Sequence, residues 1–321
     1  MSANPALAKP HNSYRHEAFL YRGDDDLVAG LVPFVREGLA AGQPVMAALP
    51  GYHLGLLVDA LGADAADVAL VDMTELGHNP ARIIPGWQRF LDRSCGGVQP
   101  VRGIGEPIWA GRRPAELLEC QFHEALLNVA VDPDTPLWLR CPYDTGALEE
   151  ATVAEAHRSH PIVVDSSAYA GSTSYTGAHH VRQFFGADLP EPPGPTDGFD
   201  FGPDDLAAVR DRVTNHARAA LMERERAWEL ALSVHELATN SVRYGGGSGR
   251  LRIWHDGPFA RGAVVCEVSD HGMIEDPLVG RRRPDPNEPD GRGLWLANQL
   301  CDLVQVRSTD TGAVVRIVSW L

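Results

Sequence analysis

His235-Glu236-Leu237-Ala238-Thr239-Asn240-Ser241-Val242-Arg243-Tyr244-Gly245-Gly246 is the stretch on which the reading of the chain turns. Leu230, Val234, Leu237 and Ser241 recur at helical spacing and share one face, while Glu236, Asn240 and Arg243 share the opposite face. A carboxylate and an amide therefore stand one turn apart, pointing away from the core. Gly245 to Gly247 end the helix, because glycine accepts the left-handed backbone of a helix C-terminus. By itself this is an ordinary amphipathic helix. Two later stretches change its meaning. Asp270-His271-Gly272 follows the apolar run Ala263 to Val268, so a carboxylate stands at a strand end beside a residue without a side chain. Such a pair can take a purine amino group edge-on. Gly291-Arg292-Gly293-Leu294 then opens the helical pattern that runs to Leu300, leaving free backbone N–H groups at the positive end of a helix dipole, which is a phosphate site.

The order and spacing of these three stretches resemble the N, G1 and G2 boxes of the GHKL ATPases, and their wording looks most like the anti-sigma-factor serine kinase branch. The resemblance runs from about Phe201 to Leu321. It implies an α+β sandwich of Bergerat type that binds ATP with Mg²⁺. Asn240 is then the metal ligand, Glu236 the catalytic base, Asp270 and Gly272 the adenine site, and Gly291, Arg292, Gly293 and Leu294 the phosphate loop. One departure is visible: the G1 box of that family reads Asp-x-Gly-x-Gly, whereas Ile274 stands here at the second glycine. Met273 to Asp290, with Arg281, Arg282, Arg283 and four prolines, is long enough to form a mobile lid over the site, its arginines either clamping phosphate or, the favoured reading, keeping the loop solvated.

The chain has 321 residues, which makes two domains the natural expectation. A net charge of −15 argues against a sequence-independent grip on nucleic acid, which needs a concentrated positive surface. The five cysteines are scattered without metal-binding spacing, as in buried free thiols of a reducing cytosol. No apolar stretch reaches the ~20 residues of a membrane span, and the first twelve residues lack an apolar signal segment, so a cytoplasmic protein with a disordered tail at residues 1–12 is expected.

Upstream of residue 166, short apolar runs alternate with helical patterns. His16 to Tyr21, Pro44 to Pro50, Val68 to Asp72, Val101 to Pro107 and Leu137 to Asp144 read as strands, which predicts an α/β domain with a parallel sheet covered on both faces. Asp24 to Asp26 are expected to cap the first helix, and Thr145 to His157 to form the last. Gly103-Ile104-Gly105-Glu106-Pro107-Ile108, His123-Glu124-Ala125-Leu126-Leu127-Asn128, Cys141-Pro142-Tyr143-Asp144 and His160-Pro161 together resemble the MEDS sensory domain. That resemblance implies a degenerate RecA or P-loop-like sheet and the reception of a signal. The Pro50-Gly51-Tyr52-His53-Leu54-Gly55 turn has no P-loop lysine, so a second nucleotide site is not expected. Glu106, His123, Glu124 and Asp144 are candidates to line a pocket at strand ends, or to be satisfied buried groups. His123-Glu124 also mimics a phosphoacceptor pair, but no long two-helix hairpin precedes the N box.

The expected organisation is a sensory domain at 13–165, a Ser/Gly/Pro-rich linker at 166–199 and an ATPase domain at 200–321, with helices on one face of a mixed sheet. The expected function is a signal-responsive anti-sigma regulator: an ATP-dependent serine/threonine kinase that acts on an anti-sigma antagonist and sequesters an alternative sigma factor. Two alternatives stay open, an ATP-binding sigma-factor switch without phosphotransfer and a sensor histidine kinase. No nucleic acid or membrane partner is expected, the signal is unknown, and a homodimer is one state the sequence permits.

Overall fold

The structure, a computed structural model, describes residues 13–94, 100–257, 262–284 and 291–321, so the expected disordered tail, Cys95 and the end of the lid at 285–290 lie outside the described residues. These residues form two compact units that divide between Val181 and Arg182.

In the first unit, β1 (Arg15–Tyr21), α1 (Gly23–Ala40), β2 (Val45–Leu49), α2 (Gly51–Leu61), β3 (Val68–Asp72), α3 (Met73–Leu76), α4 (Ile83–Arg93), β4 (Val101–Gly105), α5 (Pro114–Ala130), β5 (Leu137–Asp144), α6 (Glu150–Ser159), β6 (Ile162–Val164) and β7 (Tyr169–Gly171) follow in order. The strands form one sheet in the order β3-β2-β4-β5-β1-β6-β7, parallel throughout except for β7. β2 and β4 are buried along their whole length, which is why β2 reads as an unbroken apolar run, while β4 also buries Arg102. Leu27, Leu31, Phe34 and Val35 of α1 pack with Phe19, Val45 and Leu49. Gly103 and Gly105 of β4 leave room for the buried ring of Trp87.

Three local expectations change. Asp24 to Asp26 lie inside the first turn of α1, whose N-cap is Arg22; Asp26 accepts from the Arg22 N–H rather than capping the helix itself. α6 begins at Glu150 because Asp144 accepts the N–H of Gly146 at 2.8 Å, and its carbonyl accepts from Ala147 and Leu148, so residues 145–149 are a turn. The segment 166–199 is not uniformly a linker. It carries β7, which pairs with β6, and α7 (Ala178–Phe185).

The second unit contains β8 (Asp197–Phe201), α8 (Leu206–Ala219), α9 (Arg224–Tyr244), β9 (Gly249–Asp256), β10 (Ala263–Asp270), α10 (Arg292–Leu300), β11 (Leu303–Thr309) and β12 (Gly312–Trp320). Its sheet has the order β11-β12-β10-β9-β8, and every pair is antiparallel, so the expected mixed sheet is corrected. β8 was hidden in the sequence by the prolines and glycines before it. α8 and α9 pack against this sheet, and α10 packs against α9 and β11. On the sheet itself, Glu267 accepts from Arg252 on β9 and Arg316 on β12, its two cross-strand neighbours. The prolines expected to form a spacer lie against these arginines: Arg316 donates to the carbonyl of Pro190 at 2.8 Å and Arg252 to Glu191 at 2.9 Å.

None of the four described cysteines forms a disulfide, and all four are buried. Among the described residues no helix is long and apolar enough to cross a membrane.

Candidate nucleotide site

α9 holds Glu236 and Asn240 because its other faces are committed to packing: Leu230, Val234, Leu237, Ala238 and Ser241 are all buried. The two polar side chains do not face open solvent, as the amphipathic pattern implied. They are half-buried beneath the first turn of α10. A Cβ built on Gly293 would lie 3.2 Å from the Asn240 amide nitrogen and 3.2 Å from a Glu236 carboxylate oxygen. A glycine at that point lets the helix backbone come down onto the carboxylate and the amide. Gly291 caps α10 in the left-handed conformation, with φ of 82°, and offers no side chain to cap it, so the positive end of the helix dipole stands at the site. Arg292 is the first residue of the helix and is exposed, while Gly293 and Leu294 are buried.

At the other end of the site, Asp270 closes β10. Its Oδ2 accepts from the Ser241 hydroxyl at 2.6 Å and its Oδ1 from the Gly272 N–H at 2.8 Å, so both carboxylate oxygens are held in place. Each retains a second lone-pair direction. Gly272 is required by crowding: a Cβ there would approach the Tyr244 carbonyl to 2.7 Å. The positive φ expected at the end of α9 occurs at Gly246 and Gly247, while Gly245 is needed for a different reason, since a Cβ there would overlap the Asp270 carboxyl.

These groups border one pocket of about 460 Å³. Asn240, Asp270, Gly272, Gly291 and Leu294 line it together with Leu237, Ser241, Tyr244 and Gly245; Val268, Ala313 and Val315 of the sheet also line it, as do Met273 to Asp276 and Val279 of the lid segment. Glu236, Arg292 and Gly293 are not among its lining residues; Glu236 and Gly293 meet beside Asn240. Sequence reading missed Ser241 as a site residue. Its hydroxyl on an otherwise apolar helix face was the available signal.

The described lid segment, residues 273–284, is anchored. The Ile274 N–H donates to Ser308 Oγ at 2.9 Å, and Asn298 of α10 donates to the Gly280 carbonyl at 3.0 Å. Gly280 adopts φ of 71°. Arg281 is only 2% exposed, so solvation of the loop describes Arg282 and Arg283 but not Arg281.

In the first unit, Glu106 and Asp144 do stand at strand ends, but Glu124 does not join them, and His123 is buried in α5. Glu106 accepts from Tyr21 at 2.8 Å and pairs with His53 Nδ1 at 2.7 Å. The hydrogen bond to Glu106 raises the His53 pKa, and burial raises that of Glu106. Glu124 lies instead among His16, Cys141 and His160.

Comparison with known families gives two matches. Residues 15–161 match the MEDS family (methanogen/methylotroph, DcmR sensory domain). Residues 199–319 match the histidine kinase-like ATPase domain, a family that implies ATP binding, usually with Mg²⁺. No curated protein matches the chain. The residues fit that ligand: a helix N-terminus without a side-chain cap, an amide beside it, and a carboxylate with fixed orientation border one cavity. The chain is thus a two-domain protein in which a MEDS sensory domain precedes a histidine kinase-like ATPase domain.

Proposed function

We propose that this protein is a signal-responsive anti-sigma regulator, whose C-terminal unit phosphorylates a serine or threonine of an anti-sigma antagonist and sequesters an alternative sigma factor. The observation that carries the kinase reading is the seat of the α10 N-terminus on Glu236 and Asn240 through Gly293. A base, an uncharged oxygen ligand and phosphate-binding N–H groups then share one corner of the site.

ATP with Mg²⁺ supplies the phosphoryl group and neutralises the charge that develops on it. Asn240 offers a side-chain oxygen of the kind Mg²⁺ accepts alongside phosphate and water. Asp270, steadied by Ser241 and Gly272, accepts from the adenine amino group. The first N–H groups of α10 bind phosphate oxygens. Glu236 orients the attacking hydroxyl and takes its proton at a carboxylate oxygen.

Glu236→Gln keeps size and hydrogen bonding but removes basicity. ATP binding by calorimetry should survive, while transfer to a co-purified antagonist falls by about 10²- to 10⁴-fold. Transfer undiminished in that variant would remove Glu236 from the mechanism. One observation favours a second reading, the ATP-dependent switch without transfer: the residue at the second G1 glycine is Ile274, and its N–H is tied to Ser308. A wild-type chain that binds a sigma factor only with ATP, yet phosphorylates nothing it retains, decides for the switch. His123, the candidate phosphoacceptor of the histidine-kinase reading, is 1% exposed in α5, which disfavours that reading.

A further inference from the structure

His16, Glu124, Cys141 and His160 converge inside the first unit, and none is more than 1% exposed. They come from four elements or their ends. β1 and β5 run parallel with Ala18 opposite Cys141, which places His16 and Cys141 on the same face of the sheet. α5 brings Glu124 over that face, and His160 follows the last turn of α6. His16 Nε2 and His160 Nε2 lie 3.0 and 3.2 Å from the same Glu124 oxygen, and Cys141 Sγ lies 3.5 Å from His16 Nε2. A tetrahedron built on zinc bonds of about 2.0 to 2.3 Å has edges of roughly 3.3 to 3.7 Å, close to these three separations, and all four donor atoms lie within 4.8 Å of one another.

The outer contacts orient both imidazoles. His16 Nδ1 faces Asn128 Oδ1 at 3.2 Å, and His160 Nδ1 faces the Ala156 carbonyl at 2.9 Å. Each Nδ1 therefore carries the proton, and each Nε2 can turn a lone pair inward, the arrangement that typically surrounds a metal-bound histidine. The centre then collects acceptors. His160 Nε2 has no hydrogen-bond partner despite its proximity to Glu124, and Glu124 Oε1 is buried without one. A divalent cation resolves this: two neutral imidazoles, one carboxylate and one thiolate balance its charge in a site closed to water.

We propose that His16, Glu124, Cys141 and His160 form a four-coordinate Zn²⁺ site in the sensory domain. On binding, the Cys141 thiol loses its proton to solvent as the sulfur bonds the ion. Four protein donors leave no open position, so the ion is structural or sensory, not catalytic. Asn128 is a positioning residue that holds the His16 ring.

The test is a Co²⁺ titration of the chelator-stripped full chain. One equivalent should produce thiolate-to-cobalt charge-transfer absorption with tetrahedral d–d bands, and Zn²⁺ should displace it. Cys141→Ser should abolish the charge-transfer band. Asn128→Ala, which touches no ligand atom of the ion, should weaken Zn²⁺ affinity by roughly 10- to 100-fold and so reports even if a ligand variant fails to fold. A folded wild-type chain that takes up no Zn²⁺ or Co²⁺ overturns the site and leaves a proton-linked histidine–glutamate network. A charge-transfer band unchanged in Cys141→Ser overturns it as well, because the thiolate would be another.

Discussion

The Asp270 carboxyl occupies the space a side chain would need at Gly245, and φ at Gly245 is −93°, a value any residue adopts. Gly245→Ala therefore adds no backbone strain and acts only by pushing Asp270 off Ser241 and the Gly272 N–H. Forced overpacking of this kind costs about 1 to 3 kcal/mol, so nucleotide affinity should fall by roughly 5- to 150-fold. Calorimetry with ATP·Mg²⁺ checks it; an unchanged affinity would mean that Asp270 does not read the base. The same residue shows the limit of motif reading. Its glycine looked like a helix stop, whereas its reason is a neighbour distant in sequence.

At the scale of elements, α10 joins phosphate loop and lid, because Asn298 holds the Gly280 carbonyl from within the helix. Asn298→Ala leaves that carbonyl unsatisfied and should cost about 1 to 3 kcal/mol. The loosened lid should release a fluorescent ATP analogue faster in stopped flow, and an unaltered off-rate would show that the segment does not gate release. In the first unit, the end of β4 carries a pH-dependent pair. His53 has its pKa raised by Glu106, so its stabilisation is complete below the unfolded histidine value and lost as pH rises through the higher folded value. Glu106, raised by burial, costs stability as pH climbs above the unfolded carboxylate range. Both contributions decline with rising pH. Glu106→Gln should thus flatten the fall in thermal stability between about pH 5 and 8, measured by melting curves in that window. An unchanged slope would show that other groups set it.

Taken as a whole, the molecule divides at a place composition does not mark. Ser, Gly and Pro enrichment pointed to residues 166–199 as a linker, yet part of that segment completes the first sheet, and Pro190, Glu191 and β8 belong to the second unit. A fragment of residues 182–321 should therefore bind ATP with full affinity. One that starts at residue 201 loses nearly all of β8, together with Pro190 and Glu191, which accept from Arg316 and Arg252. It should melt several degrees lower, since about 1 kcal/mol moves Tm by roughly 2 to 8 °C across the domain sizes that bracket this one. Equal melting temperatures would show that Pro190, Glu191 and β8 add nothing.

Periodicity alone placed α9, β10 and α10, since apolar spacing is set by helix and strand geometry and does not depend on distant partners. It likewise gave the first unit its parallel sheet, and motif order marked Glu236, Asn240, Asp270 and the glycines as candidates for the site. Tertiary structure decided the rest. That Ser241 steadies Asp270, that Gly293 lets a helix backbone rest on Glu236, and that the C-terminal sheet is wholly antiparallel depend on which elements meet. Glu106 and Glu124 looked alike in the sequence. They part because one sits at a strand end beside His53 and the other lies over the face where β1 and β5 carry His16 and Cys141. Contacts between residues more than a hundred positions apart are chosen by the packing of whole elements, and no local pattern encodes them.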